Sequence, residues 1–559
     1  MNRFTVTASA ILLGAIAFAA SAPPAPSPAE MQHIRPEAIK AHMRFLSDDL
    51  MEGRQTGSRG YMLAANYIRS QFESMGLKGA GTNDFFQMVP LRRITVVPAQ
   101  CSFTIKRNGQ ETNLEFEKAF AMRGNAAYAN AAIEAPVVFL GYGVTAPEQK
   151  YDDYAGIDVK GKIVAAIYGA PPSFPSSLRA HYSSTDSKET IAAAHGAAGF
   201  ITIWAGERER RTPFTRFMGF VRLPGMRWID KDGTPNDVRP EIKGEAYLGP
   251  DGARQLFQGA PKTFDEVLAA EPSGALPRFE LPGTVSIRQV SQYETLESPN
   301  VAAILPGSDP KLKDEYVLYT AHADHLGIGR AVKGDSIYNG ALDNASGTAA
   351  LIEMAHAFTT ASHPPRRSIL FVAVTGEEEG LLGSDYFAHY PTVPIDKIAA
   401  NLNMDEVPMV FDFKDVIALG AEHSSLGPLL DTIAKSEGLE VSPDPMPEEN
   451  FFVRSDQYSL VKEGVPAVAI NGGEKAVDPK INGAEAERNW IHSIYHTPQD
   501  DMSQNFDYNA AAKYTRLNYA LGYAVANEDQ RPTWNQGDFF AKAAEQRKQQ
   551  GGASHRGKQ

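Results

Sequence analysis

Five short segments of this 559-residue chain each set a histidine, aspartate or glutamate just past an apolar run. His322-Ala323-Asp324 follows Tyr316-Val317-Leu318-Tyr319-Thr320, and in that spacing the histidine can bind a metal while the carboxylate two residues on orients it. Asp343 lies on a Gly-bounded turn, Asn339-Gly340-Ala341-Leu342-Asp343-Asn344-Ala345-Ser346-Gly347, where it either caps the next helix or serves as a ligand. Glu377-Glu378-Glu379 come after the buried-strand pattern of residues 368–374. Three carboxylates at a strand mouth repel one another unless a cation compensates or one stays protonated. A dinuclear site would use one glutamate for coordination and its neighbour for protons, while a solvated acidic turn is the plain alternative. Asp405 ends the run Asn401-Leu402-Asn403-Met404, and His496 stands beside Tyr495, with Asp500 expected to start a helix. Oxygen and imidazole donors of this kind suit zinc without thiolates. The only cysteine, Cys101, rules out a Cys₄ zinc site, an iron–sulfur cluster, CxxC redox chemistry and an intramolecular disulfide.

Donors at strand ends need a sheet to hold them. From residue 300 onward apolar runs at 301–305, 316–320, 368–374 and 467–470 alternate with helical stretches at 345–358 and 426–438, the pattern of an α/β sandwich whose strand ends carry ligands. Residues 35–91 read as helical. Met43, Leu46 and Leu50 share a face of the first helix; Ser58 caps a second through Tyr61, Ala65, Ile68 and Phe72, with Gly76 as its stop. Between 115 and 288 the texture changes to short β-like runs with turn residues, which predicts an inserted α+β domain. Within it, residues 207–228 gather arginines with Phe214, Phe217, Phe220 and Trp228, either as a contact between subdomains or as an anion site.

At the N-terminus Arg3 precedes an apolar run of 13 residues from Ala8 to Ala20 that ends in small residues, the pattern of a secretory signal peptide over residues 1–22. Residues 23–34 read as a Pro-rich linker and 546–559 as a disordered tail. No other run approaches the ~18 apolar residues of a membrane span, so no stable span is expected after signal removal. With 67 acidic against 54 basic residues the net charge is −13, which argues against nucleic acid as a partner. The apolar content of 43% supports a sizeable core.

The ordered set His322-Ala323-Asp324, Asp343-Asn344-Ala345-Ser346-Gly347, Glu377-Glu378-x-Gly380-x-x-Gly383-Ser384, Asp405 and His496-Thr497-Pro498 resembles the co-catalytic zinc aminopeptidases of metallopeptidase family twenty-eight. That family also holds glutamate carboxypeptidase-like enzymes, glutaminyl cyclases and the non-catalytic transferrin receptor. Gly141-Tyr142-Gly143, Tyr151-Asp152-Asp153-Tyr154 and Val159-Lys160-Gly161-Lys162-Ile163-Val164 resemble the protease-associated domain found inside such peptidases, and Ser47-Asp48-Asp49-Leu50-Met51-Glu52-Gly53-Arg54 is similar to the start of bacterial members.

The resemblance implies a three-layer α/β zinc-exopeptidase sandwich with a mixed central sheet. The peptidase domain would span residues 35–114 and 289–545, interrupted by a protease-associated insertion at 115–288. It implies two zinc ions: His322 and Asp405 on one, Glu378 and His496 on the other, and Asp343 bridging. Glu377 falls at the general-base position and Asp324 at the one that orients His322. Tyr495 falls where some members polarise the scissile carbonyl, and Arg454 near a substrate-binding arginine. Glu406 and Pro408 depart from the family pattern, which has an apolar residue and a glycine there. The implied activity is that of a secreted or periplasmic exopeptidase acting on peptides, most simply an aminopeptidase; a carboxypeptidase, a glutaminyl cyclase or a receptor-like binding protein are the alternatives.

Overall fold

The computed structural model describes residues 24–221 and 223–547. The expected signal peptide at 1–22 lies outside the described residues, as does the tail from 548 onward. Among the described residues no helix is long and apolar enough to cross a membrane.

A mixed sheet forms the middle of the molecule. Its centre is four parallel strands in the spatial order Ser368–Val374, Tyr316–His322, Ile398–Asn403 and Ala467–Gly472. Residues 301–305 flank them antiparallel on one side and Asp415–Leu419 antiparallel on the other. The period-two rule sorts each strand's side chains between two layers. Ile369, Phe371 and Ala373 face one core with the helices Pro36–Leu46, Arg59–Ser74, Gly347–Thr359 and Tyr508–Asn527. Leu370, Val372 and Val374 face a second core with Phe387 and Leu460 from the helices Leu382–His389 and Gln457–Lys462. The result is a three-layer α/β sandwich, buried on both faces, which explains why these strands read as continuous apolar runs.

A second sheet is joined to the first by one long strand, Arg278–Leu305. Its first half pairs with Ser102–Arg107 and Asn130–Leu140, and its second half with Phe86–Val96 and Ser368–Val374. The strands Ser102–Arg107 and Gln110–Asn113 therefore belong to the second sheet, ahead of the expected boundary at 115. Residues 225–228 run the other way and return to the first sheet, where Gly225–Trp228 pairs with Phe86–Val96.

The N-terminal region departs from its sequence reading in three places, two in the helical stretch and one in the Pro-rich linker. The first helix ends at Leu46, and Asp48 caps a tight turn at Asp49–Arg54, so Leu50 is 78% exposed instead of sharing the face of Met43. Phe86–Val96 is a strand whose buried residues change face along its length: Gln87, Val89 and Leu91 lie on one face, Ile94 and Val96 on the other. Residues 24–34 are docked: Ser27 caps Pro28–Met31, the Glu30 carboxylate accepts from the backbone N–H and hydroxyl of Ser362, and Ile34 is buried. Helix Arg59–Ser74 is capped by Ser58 and followed by Gly76 at φ +75°.

The arginine-rich segment is largely core and ion pairs. Phe217 stacks on Trp204 at 3.9 Å, Arg208 lies over the rings of Trp204 and Tyr168, and Glu207 pairs with Arg179 and Arg211.

Candidate metal centre

Three of the parallel strands end side by side, and each delivers a donor there. His322 is the last residue of Tyr316–His322, Glu377 and Glu378 lie in the turn after Ser368–Val374, and Asp405 follows Ile398–Asn403. Asp343 comes from the turn before helix Gly347–Thr359. That turn is held by Asn344, whose amide donates to the Met404 carbonyl and whose side-chain oxygen accepts from the N–H of Gly347 and Glu406. His496 lies in the left-handed region (φ +56°) after helix Gly483–Ser493.

The two carboxylate oxygens of Asp343 face two different groups. Oδ1 is 3.2 Å from His322 Nε2, which is also 3.0 Å from Asp405 Oδ1. Oδ2 is 3.1 Å from His496 Nε2, which is also 3.1 Å from Glu378 Oε2. Glu377 reaches to 3.9 Å of His322 Nε2 through Oε2. Glu379 turns away from both groups; burial, with Asp324 and Glu378 nearby, pushes it up to about 7. Asp324 sits behind the cluster: its carboxylate is 3.9 Å from His322 Nδ1 and accepts from the backbone N–H of Glu377 and Glu378 and from the Thr56 hydroxyl. It thereby fastens the glutamate turn to the histidine strand.

The electrostatics are those of a site short of positive charge. Burial opposes a charged His322, yet Asp405, Glu377 and Asp343 outweigh it and hold its pKa well above the histidine range. His496 is pushed up to about 10 against its burial by Glu378 and Asp343. Burial also opposes ionisation of Asp343, but hydrogen bonds to His322 and His496 hold it well below the carboxylate range. Glu377 moves the other way: burial, opposed by His322 and reinforced by Asp405 and Glu378, pushes it well up. A divalent cation would supply the positive charge that such a donor set calls for. Buried polar atoms without an aligned partner, namely His496 Nε2, Glu378 Oε1 and both ring nitrogens of His325, lie around the second group. The donors present, carboxylate oxygens and imidazole nitrogens at mutual distances near 3 Å, fit two such cations sharing Asp343.

Tyr495 and Arg454 meet at the mouth. The Tyr495 ring stacks on His496 at 3.8 Å, and Arg454 Nη2 is 3.4 Å from its hydroxyl, while Arg454 Nη1 donates to the Glu449 carbonyl. The Arg454 side chain is 44% exposed. Asp500 starts no helix; its carboxylate accepts from the N–H of Leu342 and Asp343, and Asp507 caps the following helix instead.

Several supporting residues received no role from the sequence. Arg54, 1% exposed, donates to the carbonyls of Ala323, Leu46, Asn339 and Gly340 and so ties the His322 strand end to the Asp343 turn. The Ser455 hydroxyl donates to Asp405 Oδ2 at 2.5 Å and accepts from Asn403. His325, one residue past the His-Ala-Asp motif, is buried against Glu378. A second histidine in the same tetrapeptide was the one readable hint of it.

Residues 300–522 match the model of Peptidase family M28. Over 141 residues the chain is 32% identical to "Aminopeptidase NAALADL1" of Mus musculus, covering 24% of this chain and 17% of that protein. Over 109 residues it is 38% identical to a "Probable zinc metalloprotease" of Pyrenophora teres f. teres, covering 19% of this chain and 22% of that one. The chain thus spans less than a quarter of the length of these curated relatives. The fold is shared with a solved aminopeptidase from Aneurinibacillus sp. strain AM-1, at a TM-score of 0.50, 20% identity, and coverage of 91% of this chain and 98% of that one. The segment that matches the Peptidase family M28 model contains all nine candidate site residues.

Proposed function

We propose that the chain is a zinc-dependent aminopeptidase exported from the cytoplasm by its N-terminal apolar run, with the unit built on the second sheet as a protease-associated insertion. The observation that carries the reading is Asp343, whose two oxygens face two separate His-carboxylate groups beside the buried Glu377. His322 and Asp405 would hold one zinc, Glu378 and His496 the other, and Asp343 both. When bound, the two ions lower the pKa of a water and polarise the scissile carbonyl. The chain's own groups supply the rest. Glu377 accepts the proton of the attacking water at a carboxylate oxygen and returns it to the leaving amine. The Tyr495 hydroxyl, braced by Arg454, donates to the oxygen on which charge develops.

The pocket beside the centre favours an amino-terminal substrate. It is walled by Leu342, Met409 and Ile491 and carries the carboxyls of Glu406, Glu474 and Glu487, with Leu342 next to Asp343 and Glu406 next to Asp405. Among the described residues no lysine or arginine lines it to receive a carboxylate-ended substrate, whereas an amino group meets carboxyl oxygens that can accept from it. Glu474 is paired with Arg488, and Glu487 is pushed up to about 7 by burial and by Glu474. Apolar walls with a free carboxyl suit a long aliphatic stem ending in a cation, so we read the pocket as holding an N-terminal lysine or arginine side chain.

Two measurements test this. Stripping the protein with a chelator is expected to reduce hydrolysis of aminoacyl-4-nitroanilides to background, with zinc restoring it as two equivalents rebind; activity that survives full metal removal overturns the reading. N-acetylated substrates should not be cleaved, and their cleavage would favour a carboxypeptidase. Glu487→Gln is expected to lower kcat/KM for lysyl and arginyl anilides by roughly 10-fold, the value of one charge-assisted contact, with the leucyl anilide changed by less than about 2-fold. An equal loss on all three would remove Glu487 from side-chain selection.

A further inference from the structure

We propose that His325 is a positioning residue for the second cation subsite: it takes up one oxygen of Glu378 and leaves the other for the metal. The proposal rests on the two-metal reading above and adds a residue to it. His325 is 1% exposed, and its Nδ1 stands 2.6 Å from Glu378 Oε1 and 3.8 Å from Asp343 Oδ2. Glu378 Oε2 is the oxygen that meets His496 Nε2 at 3.1 Å. The two oxygens of one carboxylate are thus divided between two histidines whose rings meet edge to face at 5.8 Å.

The His325 ring has little freedom to do anything else. Gly340 lies directly over it at φ +57°, and a Cβ there would come within 2.5 Å of the imidazole Cγ. Below, the His325 backbone N–H donates to the Arg54 carbonyl, the same residue whose guanidinium holds the Gly340 and Asn339 carbonyls. The 2.6 Å contact to Glu378 Oε1 is the shorter of the two that Nδ1 makes with carboxylates, and neither ring nitrogen has an aligned partner elsewhere among the described residues, so Glu378 is the group this buried imidazole is placed to serve. A carboxylate held by one oxygen presents the other in a single direction. That oxygen would be the one offered to a cation, its direction set by the protein before the metal binds.

The test compares wild type, His325→Phe and His325→Asn by titrating zinc into the chelator-stripped, full-length protein against a competing indicator dye. His325→Phe keeps a ring under Gly340 and removes both nitrogens; His325→Asn restores a donor near the Nδ1 position. Wild type is expected to bind two equivalents. His325→Phe is expected to keep the first and bind the second roughly 10–100-fold more weakly, with His325→Asn recovering most of the loss. Circular dichroism checks folding, and His325→Leu replaces the phenylalanine variant if that one does not fold. A folded donor-less variant that binds both equivalents as tightly as wild type, or an asparagine variant no better than the donor-less one, overturns the proposal while the two-metal reading stands. A wild type that binds fewer than two equivalents overturns the two-metal reading itself.

Discussion

Replacement of Glu377 by glutamine is expected to lower kcat at least ~100-fold on any substrate the enzyme cleaves, with KM little changed and zinc stoichiometry intact. Glutamine keeps the shape and the backbone N–H that donates to Asp324 Oδ1, but it cannot accept a proton. Glu377 is 11% exposed and reaches His322 Nε2 only to 3.9 Å, whereas Asp405 and Asp343 approach it to 3.0 and 3.2 Å. The closer pair are placed to coordinate, and Glu377 is placed to handle a proton beside them. The contrast with the adjacent position makes the prediction specific: Glu378→Gln should lower kcat and also weaken the second metal, because that carboxylate lies 3.1 Å from His496 Nε2. Metal titration alongside kcat separates the two. A Glu377→Gln enzyme with near wild-type kcat would remove this residue from proton transfer.

The second large effect is on stability and comes from Arg54. Its guanidinium makes four hydrogen bonds to carbonyls from three segments that are 269–286 residues away or, in the case of Leu46, eight. Burial lowers its pKa to about 10, although Asp500, Asp343, Asp324 and Glu378 favour the charged form, so it remains a cation at neutral pH. Arg54→Met is expected to destabilise the protein by about 3–5 kcal/mol, the range for removing one partner of a buried charge network and orphaning the groups it satisfied. A lowered thermal midpoint of the metal-free protein, with faster hydrogen exchange at the Asn339 to Asp343 turn, is the expected readout. Arg54→Lys should recover little, since one ammonium cannot reach four carbonyls in a planar fork. A midpoint within about 1 °C of wild type would show that the carbonyls find other partners, and the tie between the two halves of the site would then lie elsewhere.

How much of this was legible before the structure depends on where each signal is stored. The strand Ser368–Val374 has the same bounds in sequence and structure, because a strand buried on both faces is apolar throughout and its ends are marked by polar residues. The donors after it were readable for the same reason: a charge directly after such a run has to emerge at the sheet edge. Phe86–Val96 was missed because its burial changes face between Leu91 and Ile94, so that Arg92 and Arg93 interrupt the apolar alternation. Leu50 was misplaced because helical spacing continues in the sequence past Leu46, while Asp48 stops the helix through a local cap. The Pro-rich residues 24–34 look solvated by composition, yet Ser362 and the surrounding helices supply the contacts that dock them.

What the amino-acid sequence determined by itself is the donor set and its order along the chain, since residue type and position after a buried strand are local properties. The arrangement of that set was decided by tertiary structure alone. Asp343 is 21 residues from His322 and 153 from His496, and only the parallel pairing of the strands and the return of the chain after helix Gly483–Ser493 bring its two oxygens to both. The same holds for Arg54 and His325, whose partners are distant in the chain or indistinguishable in it from other polar residues. Their value arises from burial, and burial is a property of the assembled sheet and helices that no stretch of sequence contains.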